Sequence, residues 1–317
     1  MAGNKQQSCL GGDVLATPLA LRRRHPQSLI NQQSHVRKHE EFNMKRKHPT
    51  GYLIYEGPSA LDPSVNIAVI VNRVRGDATN EKTGSMAQSF ILRTDMPPNV
   101  ALKTKQDHAI CGACPYAGGN GCYVSIKMVC SVYSAFKRGS YVKTTPEDLA
   151  VILAANVKSK RLAGFRAGSY GDPAAAPFEV WEPIVTAVRA KSGKTSGYTH
   201  QWSERYAYMG RTADPRFRAL VMASAHGPVD TILAQADEWR PFTVFGSAEE
   251  LQGSGLAMCP ASKEAGYRKS CATCGNQSAC NGRKGINDRR VGVGIVVHGN
   301  PVTVRQAKRA AEKLEVT

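Results

Sequence analysis

The stretch 217–247, FRALVMASAHGPVDTILAQADEWRPFTVFGS, decides the fold class. Its first part, up to MASA, is short and apolar, as a buried strand is. GPVDTILAQADEW has a proline near its start and reads as a helix. RPFTVFGS reads as a second strand. A strand, a helix and a strand in so short a span call for a parallel crossover unit.

The same alternation extends in both directions. Upstream, RLAGFRAG reads as a strand, FEVWEPIVTAVRAKSG as an amphipathic helix and TSGYTHQW as a strand or strand end. Downstream, GLAMCPAS is a strand candidate, VGVGIVVHGN a continuous apolar strand of the buried parallel type, and VTVRQAKRAAEKLEV a basic closing helix. TTPEDLAVILAANVKSK is the clearest helix, with Thr145 before Pro146 and acidic residues in its first turn. YVSIKMVCSVYSAFKRGS places Ile126, Val129, Cys130, Tyr133 and Phe136 near one helical face. Earlier still, 51–76 carries one hydrophobic strand centred on 67–74. AQSFILRTDM carries its antiparallel partner across GDATNEKTG. The expected fold is α/β, with a mostly parallel sheet that is open or partly closed as a partial (βα) barrel.

The chain has 317 residues, 42% hydrophobic and 21% charged, the composition of a globular protein. No apolar run approaches a membrane span, so no membrane partner is expected. In the opening stretch the apolar piece precedes the arginines, the reverse of a secretory signal, and a cytoplasmic location is expected. Residues 1–48 read as a basic arm with little apolar periodicity, and 49–317 as one α/β domain with cysteine-rich segments at 108–130 and 257–283. The net charge is +17, and residues 1–50 hold nine Lys or Arg against three acidic residues. The body is therefore basic as well as the arm, which points to a polyanionic partner, DNA or RNA.

Nine cysteines in a reducing compartment suggest metal binding or thiol chemistry before disulfides. Cys111, Cys114 and Cys122 lie in a glycine-rich loop, CGACPYAGGNGCY, with the spacing C-x2-C-x7-C. Soft thiolates select zinc, iron–sulfur clusters or copper(I). Three ligands would leave one iron of a [4Fe–4S] cluster open; a fourth from His108 or Cys130 would close a zinc site. Cys130 falls on the apolar helix face and reads as core, and His108 reads as a loop residue. Cys259, Cys271, Cys274 and Cys280 form a second group, C-x11-C-x2-C-x5-C, suited to a closed zinc or [4Fe–4S] site. The spacing also leaves open that both loops share one centre.

Polar residues recur at expected strand ends. RAGSYGDP puts Arg166, Tyr170, Gly171 and Asp172 after a strand, with Asp172 able to cap a helix that begins at Pro173. GYTHQW offers His200, MASAHG offers His226 and VVHGN offers His298. In a parallel fold these ends face one way, so His200, His226, His298 and Asp172 are the candidate catalytic groups. There is no Walker loop, no GxGxxG after a strand, no HExxH and no GxSxG.

The order CGACPYAGGNGCYV, RAGSYGDP, GYTHQW, MCPAS, CATCG, VVHG resembles the phage and plasmid gene-product-88-type family over about 90–300, which implies a mobile-element origin. The chain is also more loosely similar to radical S-adenosylmethionine enzymes with an auxiliary cluster. That resemblance implies that Cys111, Cys114 and Cys122 hold an open [4Fe–4S] cluster. It further implies that Tyr170, Gly171 and Asp172 lie near S-adenosylmethionine. The spacing departs from the C-x3-C-x2-C of those enzymes. Three functions are therefore expected in order: an iron–sulfur protein with one or two clusters acting on or near nucleic acid, a zinc-stabilised nucleic-acid-binding protein, or a phage protein that binds a host factor.

Overall fold

A computed structural model describes residues 49–317, apart from 77–78, 267–268, 276–279, 286, 300 and 316–317. The basic arm expected over 1–48 lies outside the described residues. The fold is α/β, and its strands form two sheets.

The first sheet begins as a meander. Strands β1 (Gly51–Pro58), β2 (Asn66–Asn72) and β3 (Met86–Arg93) pair antiparallel in sequence order. Ile67 to Val71 are wholly buried, as expected for the central strand of that group. β2 and β3 thus pair antiparallel, as expected. The segment 51–76 makes two strands, however, where the sequence suggested one. Pro58 ends β1, and Ser59 and Asp62 then turn the chain: Ser59 donates its N–H to Val65 O, and Asp62 Oδ1 accepts from Ser64 N–H.

Among the described residues every pairing of a strand after β3 is parallel. β5 (Gly164–Tyr170) joins β3, and β6 (Lys194–Ser196) joins β5; β4 (Val142–Lys143) lies at the far edge on β1. The second sheet is parallel throughout, in the order β10 (Ala257–Met258), β11 (Val293–Val296), β9 (Pro241–Phe245), β8 (Met222–His226), β7 (Tyr198–Thr199). Seven of the nine strand pairings among the described residues are parallel, as the mostly parallel expectation has it, but they are divided between a mixed six-stranded sheet and a parallel five-stranded one. The two antiparallel pairs are those of the meander, whose strands follow one another without a helical crossover. No closed barrel forms among the described residues.

Only Gly197 separates β6 from β7, so one extended segment leaves the edge of the first sheet and enters the edge of the second. Its carbonyl accepts from Met222 N–H at 3.0 Å. A Cβ at 197 would stand 2.6 Å from Val221 Cγ1 and 3.1 Å from Ala167 Cβ, so the crossing requires glycine. Through this joint the parallel strands run on as β3, β5, β6–β7, β8, β9, β11, and their carboxyl ends lie along one rim.

The helices are α1 (Pro98–Thr104), α2 (His108–Cys111), α3 (Ile126–Lys137), α4 (Pro146–Lys158), α5 (Phe178–Ala190), α6 (Gly227–Ala236), α7 (Ala248–Gly253) and α8 (Pro301–Glu315). Thr145 caps α4 by accepting from Asp148 N–H at 3.1 Å. α5 is anchored by Trp181, buried beside Phe165 of β5, its indole N–H donating to Pro173 O at 2.9 Å. Among the described residues no helix is long and apolar enough to cross a membrane.

Candidate metal centre

The three-cysteine loop follows β3, the first of the parallel strands, and α2 delivers Cys111 at its end. Gly112 turns the chain there with φ +58°, and a Cβ on it would fall 2.2 Å from Gln201 Nε2. Gln201 in turn donates to Cys111 O at 3.3 Å, so the loop is pressed against the residues beyond β7. Cys114 N–H closes on Cys111 O at 3.2 Å, and Asp107 Oδ2 accepts from Gly118 N–H at 3.1 Å. Burial pushes the Cys111 thiol well up, and the nearby Asp107, Cys114 and Cys122 add to the effect. The three thiols therefore lie within electrostatic reach of one another.

Facing this loop are two histidines from adjacent parallel strands. His200 comes directly after β7 and His226 ends β8. Their rings stack at 5.2 Å, and their Nε2 atoms lie 3.1 Å apart. His200 Nε2 is also 3.8 Å from Cys114 Sγ. Tyr116, inside the cysteine loop, places its hydroxyl 2.9 Å from His226 Nδ1. Burial and the neighbouring His226 push His200 well below its usual range; burial, helped by Arg205, pushes His226 down to about 3. Both rings are neutral at neutral pH, and neutral imidazole is the form that ligates metals.

Two carboxylates hold this pair. Asp172 is buried; its Oδ2 accepts from His200 N–H at 2.7 Å and its Oδ1 from Ala174 N–H at 2.9 Å. Burial raises its pKa to about 6 despite those bonds and the further donors Thr199 and Gln201. Both oxygens being engaged, Asp172 acts here as the bracket of the β5 and β7 ends and caps the 3-10 turn Pro173–Ala175. Gly171 before it has φ +79°, which lets Asp172 N–H reach Ile110 O at 2.6 Å beside the loop. Asp230 does for His226 what Asp172 does for His200. It accepts from His226 N–H at 3.0 Å, from Arg205 at 3.2 Å and from the Tyr206 hydroxyl.

Among the described residues the other four free thiols form a separate group. Cys259, Cys271, Cys274 and Cys280 line one cavity of about 30 Å³, together with Ser196 and Val293. Burial pushes Cys280 up to about 12, opposed by a hydrogen bond to the Tyr198 hydroxyl. Two cations act on these thiols and favour their ionised form: Lys82 on Cys259 and Cys271, and Arg166 on Cys271. Cys111, Cys114 and Cys122 are not among the residues that line this cavity, so the cysteines make two groups.

Among the described residues no three His, Cys, Asp or Glu side chains already converge on a point as ligands of a single ion. Both groups nonetheless fit a thiolate-bound centre by their chemistry. Tyr170, whose neighbours include Cys111 and Cys122, has a buried hydroxyl without a partner, and Ser196 at the second group has another. Such orphaned donors call for an acceptor beside the sulfurs.

The structure brings together His200, His226 and Asp172 but not His298. β11 is separated from β8 by β9, and His298 is exposed, with Nε2 3.0 Å from Lys82 Nζ. His108 instead pairs with Asp62 at 3.1 Å and stacks on Tyr208. Cys130 is buried in α3. Arg166 and Tyr170 lie within β5 rather than beyond it. Tyr116, Tyr206 and Asp230 were not singled out by the sequence. Only the position of Tyr116 between the cysteines, and of Asp230 one helical turn after His226, could have marked them. No protein-family model, no curated protein and no solved structure matches this chain, so the reading of the site rests on its own geometry.

Proposed function

We propose that the protein is an iron–sulfur enzyme acting on or near nucleic acid. In this reading Cys111, Cys114 and Cys122 hold a [4Fe–4S] cluster with one open iron, and Cys259, Cys271, Cys274 and Cys280 hold a closed centre. The observation that carries it is the placement of a three-thiol loop at the carboxyl end of the first parallel strand, opposite His200 and His226 at the same rim. Ligands of parallel α/β folds bind at these ends. When bound, such a cluster supplies one-electron chemistry and a coordination position, which S-adenosylmethionine is suited to take.

The chain's own residues then have distinct tasks. Tyr170 offers its unpartnered hydroxyl beside the thiols. Asp172 keeps His200 facing the loop, and Asp230 keeps His226 behind it. Tyr116, His226 and His200 form one hydrogen-bonded row, so a proton entering at the Tyr116 hydroxyl can be passed to His200 Nε2. The surplus of 17 positive charges supports a nucleic-acid partner.

A second reading, structural zinc, is favoured by one observation. Bond lengths of about 2.1 Å to nitrogen and 2.3 Å to sulfur give tetrahedral edges of about 3.4–3.7 Å. The His200–His226 and His200–Cys114 separations of 3.1 and 3.8 Å lie close to these.

Iron, sulfide and zinc per chain, measured with an absorption spectrum on anaerobically purified protein, decide between them. About four or eight irons with equal sulfide and a broad band near ~400 nm support the enzyme reading. Zinc without iron overturns it. With the metal known, cleavage of S-adenosylmethionine is the next assay. Cys111→Ser with Cys114→Ser is expected to remove one centre and spare the other; joint loss of both would refute two separate sites.

A further inference from the structure

Arg166 stands on β5 between the two cysteine groups. Its register partner on β6 is Ser196, so their side chains share a face, and Ser196 lines the four-cysteine cavity. The Arg166 guanidinium gives one hydrogen bond to the Tyr123 hydroxyl at 3.2 Å, next to Cys122, and lies 5.9 Å from the Tyr198 ring. No carboxylate among the described residues pairs with it. Its Nε is buried without an acceptor, and so is the Ser196 hydroxyl. Next along the same segment, the Tyr198 hydroxyl bonds to the Cys280 thiol. Lys194 also lines the cavity, its ammonium donating to Gly275 O, and Lys82 acts on two of the thiols.

An unpaired cation in a partly buried wall is costly, as are orphaned donors. Ser196 and Lys194 line the cavity of the four sulfurs, and Arg166, in register with Ser196, acts on Cys271 among them. Four thiolates around a divalent ion, or around a cluster core of the same charge, carry net negative charge and accept hydrogen bonds. They are the anion that Arg166 lacks and the acceptor that Ser196 lacks.

We propose that Arg166 and Ser196 are the outer partners of the four-cysteine centre, donating hydrogen bonds to its sulfurs and balancing its charge. Arg166 is thus a positioning residue that also ties that centre, through Tyr123, to the three-cysteine loop. The proposal rests on the reading of Cys259, Cys271, Cys274 and Cys280 as a metal centre and holds for either zinc or iron.

The test uses anaerobically purified protein with its native metal, challenged with excess chelator. Arg166→Gln and Arg166→Lys are compared with the parent in two backgrounds: Cys111→Ser, which leaves the four-cysteine centre, and Cys271→Ser, which leaves the triad. Outer-shell partners of metal ligands change affinity by about 10–100-fold. Arg166→Gln is therefore expected to release metal at least about tenfold faster from the four-cysteine centre. It should also shift that centre's sulfur-to-metal charge-transfer absorption. Arg166→Lys should fall between, and release from the triad should not change. Unchanged release and absorption, or equal acceleration at both centres, would overturn the proposal. If Cys271→Ser alone removes no metal, the four-cysteine reading itself fails and takes the proposal with it. If it does remove metal while Arg166→Gln is silent, only the proposal fails.

Discussion

His200 is the residue on which the two chemical readings diverge. Its Nε2 faces both Cys114 Sγ and His226 Nε2. Under the iron–sulfur reading His200→Ala keeps its iron and loses turnover; under the zinc reading it loses metal from the first loop while the four-cysteine centre stays loaded. Metal analysis of the purified variant separates the two. A second residue-scale prediction concerns Asp288. Its carboxylate accepts from Lys284 and Arg290 N–H at 2.8 and 3.1 Å and pairs with the Arg290 guanidinium, which reaches Asn281 Oδ1 at 2.6 Å beside Cys280. The bond to Arg290 holds its pKa below the usual carboxylate range. A depressed carboxylate contributes stability above the unfolded value, near 3.8, and that contribution is lost as pH falls through the lower folded value. Asp288→Asn should cost about 1–3 kcal/mol at pH 7. The gap between the two proteins should narrow as pH falls below that of free aspartate. Urea denaturation across that range measures both.

At the scale of elements, local signals were legible wherever they suffice to fix a structure. Thr145, Pro146, Glu147 and Asp148 mark the start of α4, and the helix forms there with the expected cap. Thr145→Ala should cost about 1 kcal/mol, read from a shift in denaturation midpoint. The crossover over 217–247 forms as β8, α6 and β9, the strand, helix and strand its sequence implies. Less was legible where pairing partners decide. β1 and β2 read as one strand because alternation alone does not show where one strand turns back on the next. GLAMCPAS forms a strand only over Ala257–Met258 because it has only β11 beside it. The joint at Gly197 was invisible for the same reason. Gly197→Ala would drive a methyl into Val221 and Ala167, and a loss of about 1–3 kcal/mol or more is expected. Since β7 carries His200 beyond this joint, the variant should also weaken metal retention in the first loop.

Over the whole molecule, charge and topology act at different ranges. The surplus of 17 positive charges is a long-range property that composition reveals at once. If nucleic acid is the partner, binding of a single-stranded or duplex probe should weaken as a power of salt concentration, with a slope set by the number of phosphates neutralised. Binding unaffected by salt would remove the nucleic-acid part of the proposed function.

By itself the sequence determined the α/β class, the two cysteine-rich segments and the basic charge, because helix caps, apolar periodicity, residue spacing and formal charge are local or additive. Only the tertiary structure decided that Cys259, Cys271, Cys274 and Cys280 share one cavity apart from the first loop, that His200 and His226 meet at 3.1 Å, and that His298 does not join them. Which strand ends become neighbours depends on sheet order, and here β9 and β11 intervene in space between β8 and β10. Sheet order is set by which apolar faces bury one another over long sequence separations, a choice that no short stretch of this chain encodes alone.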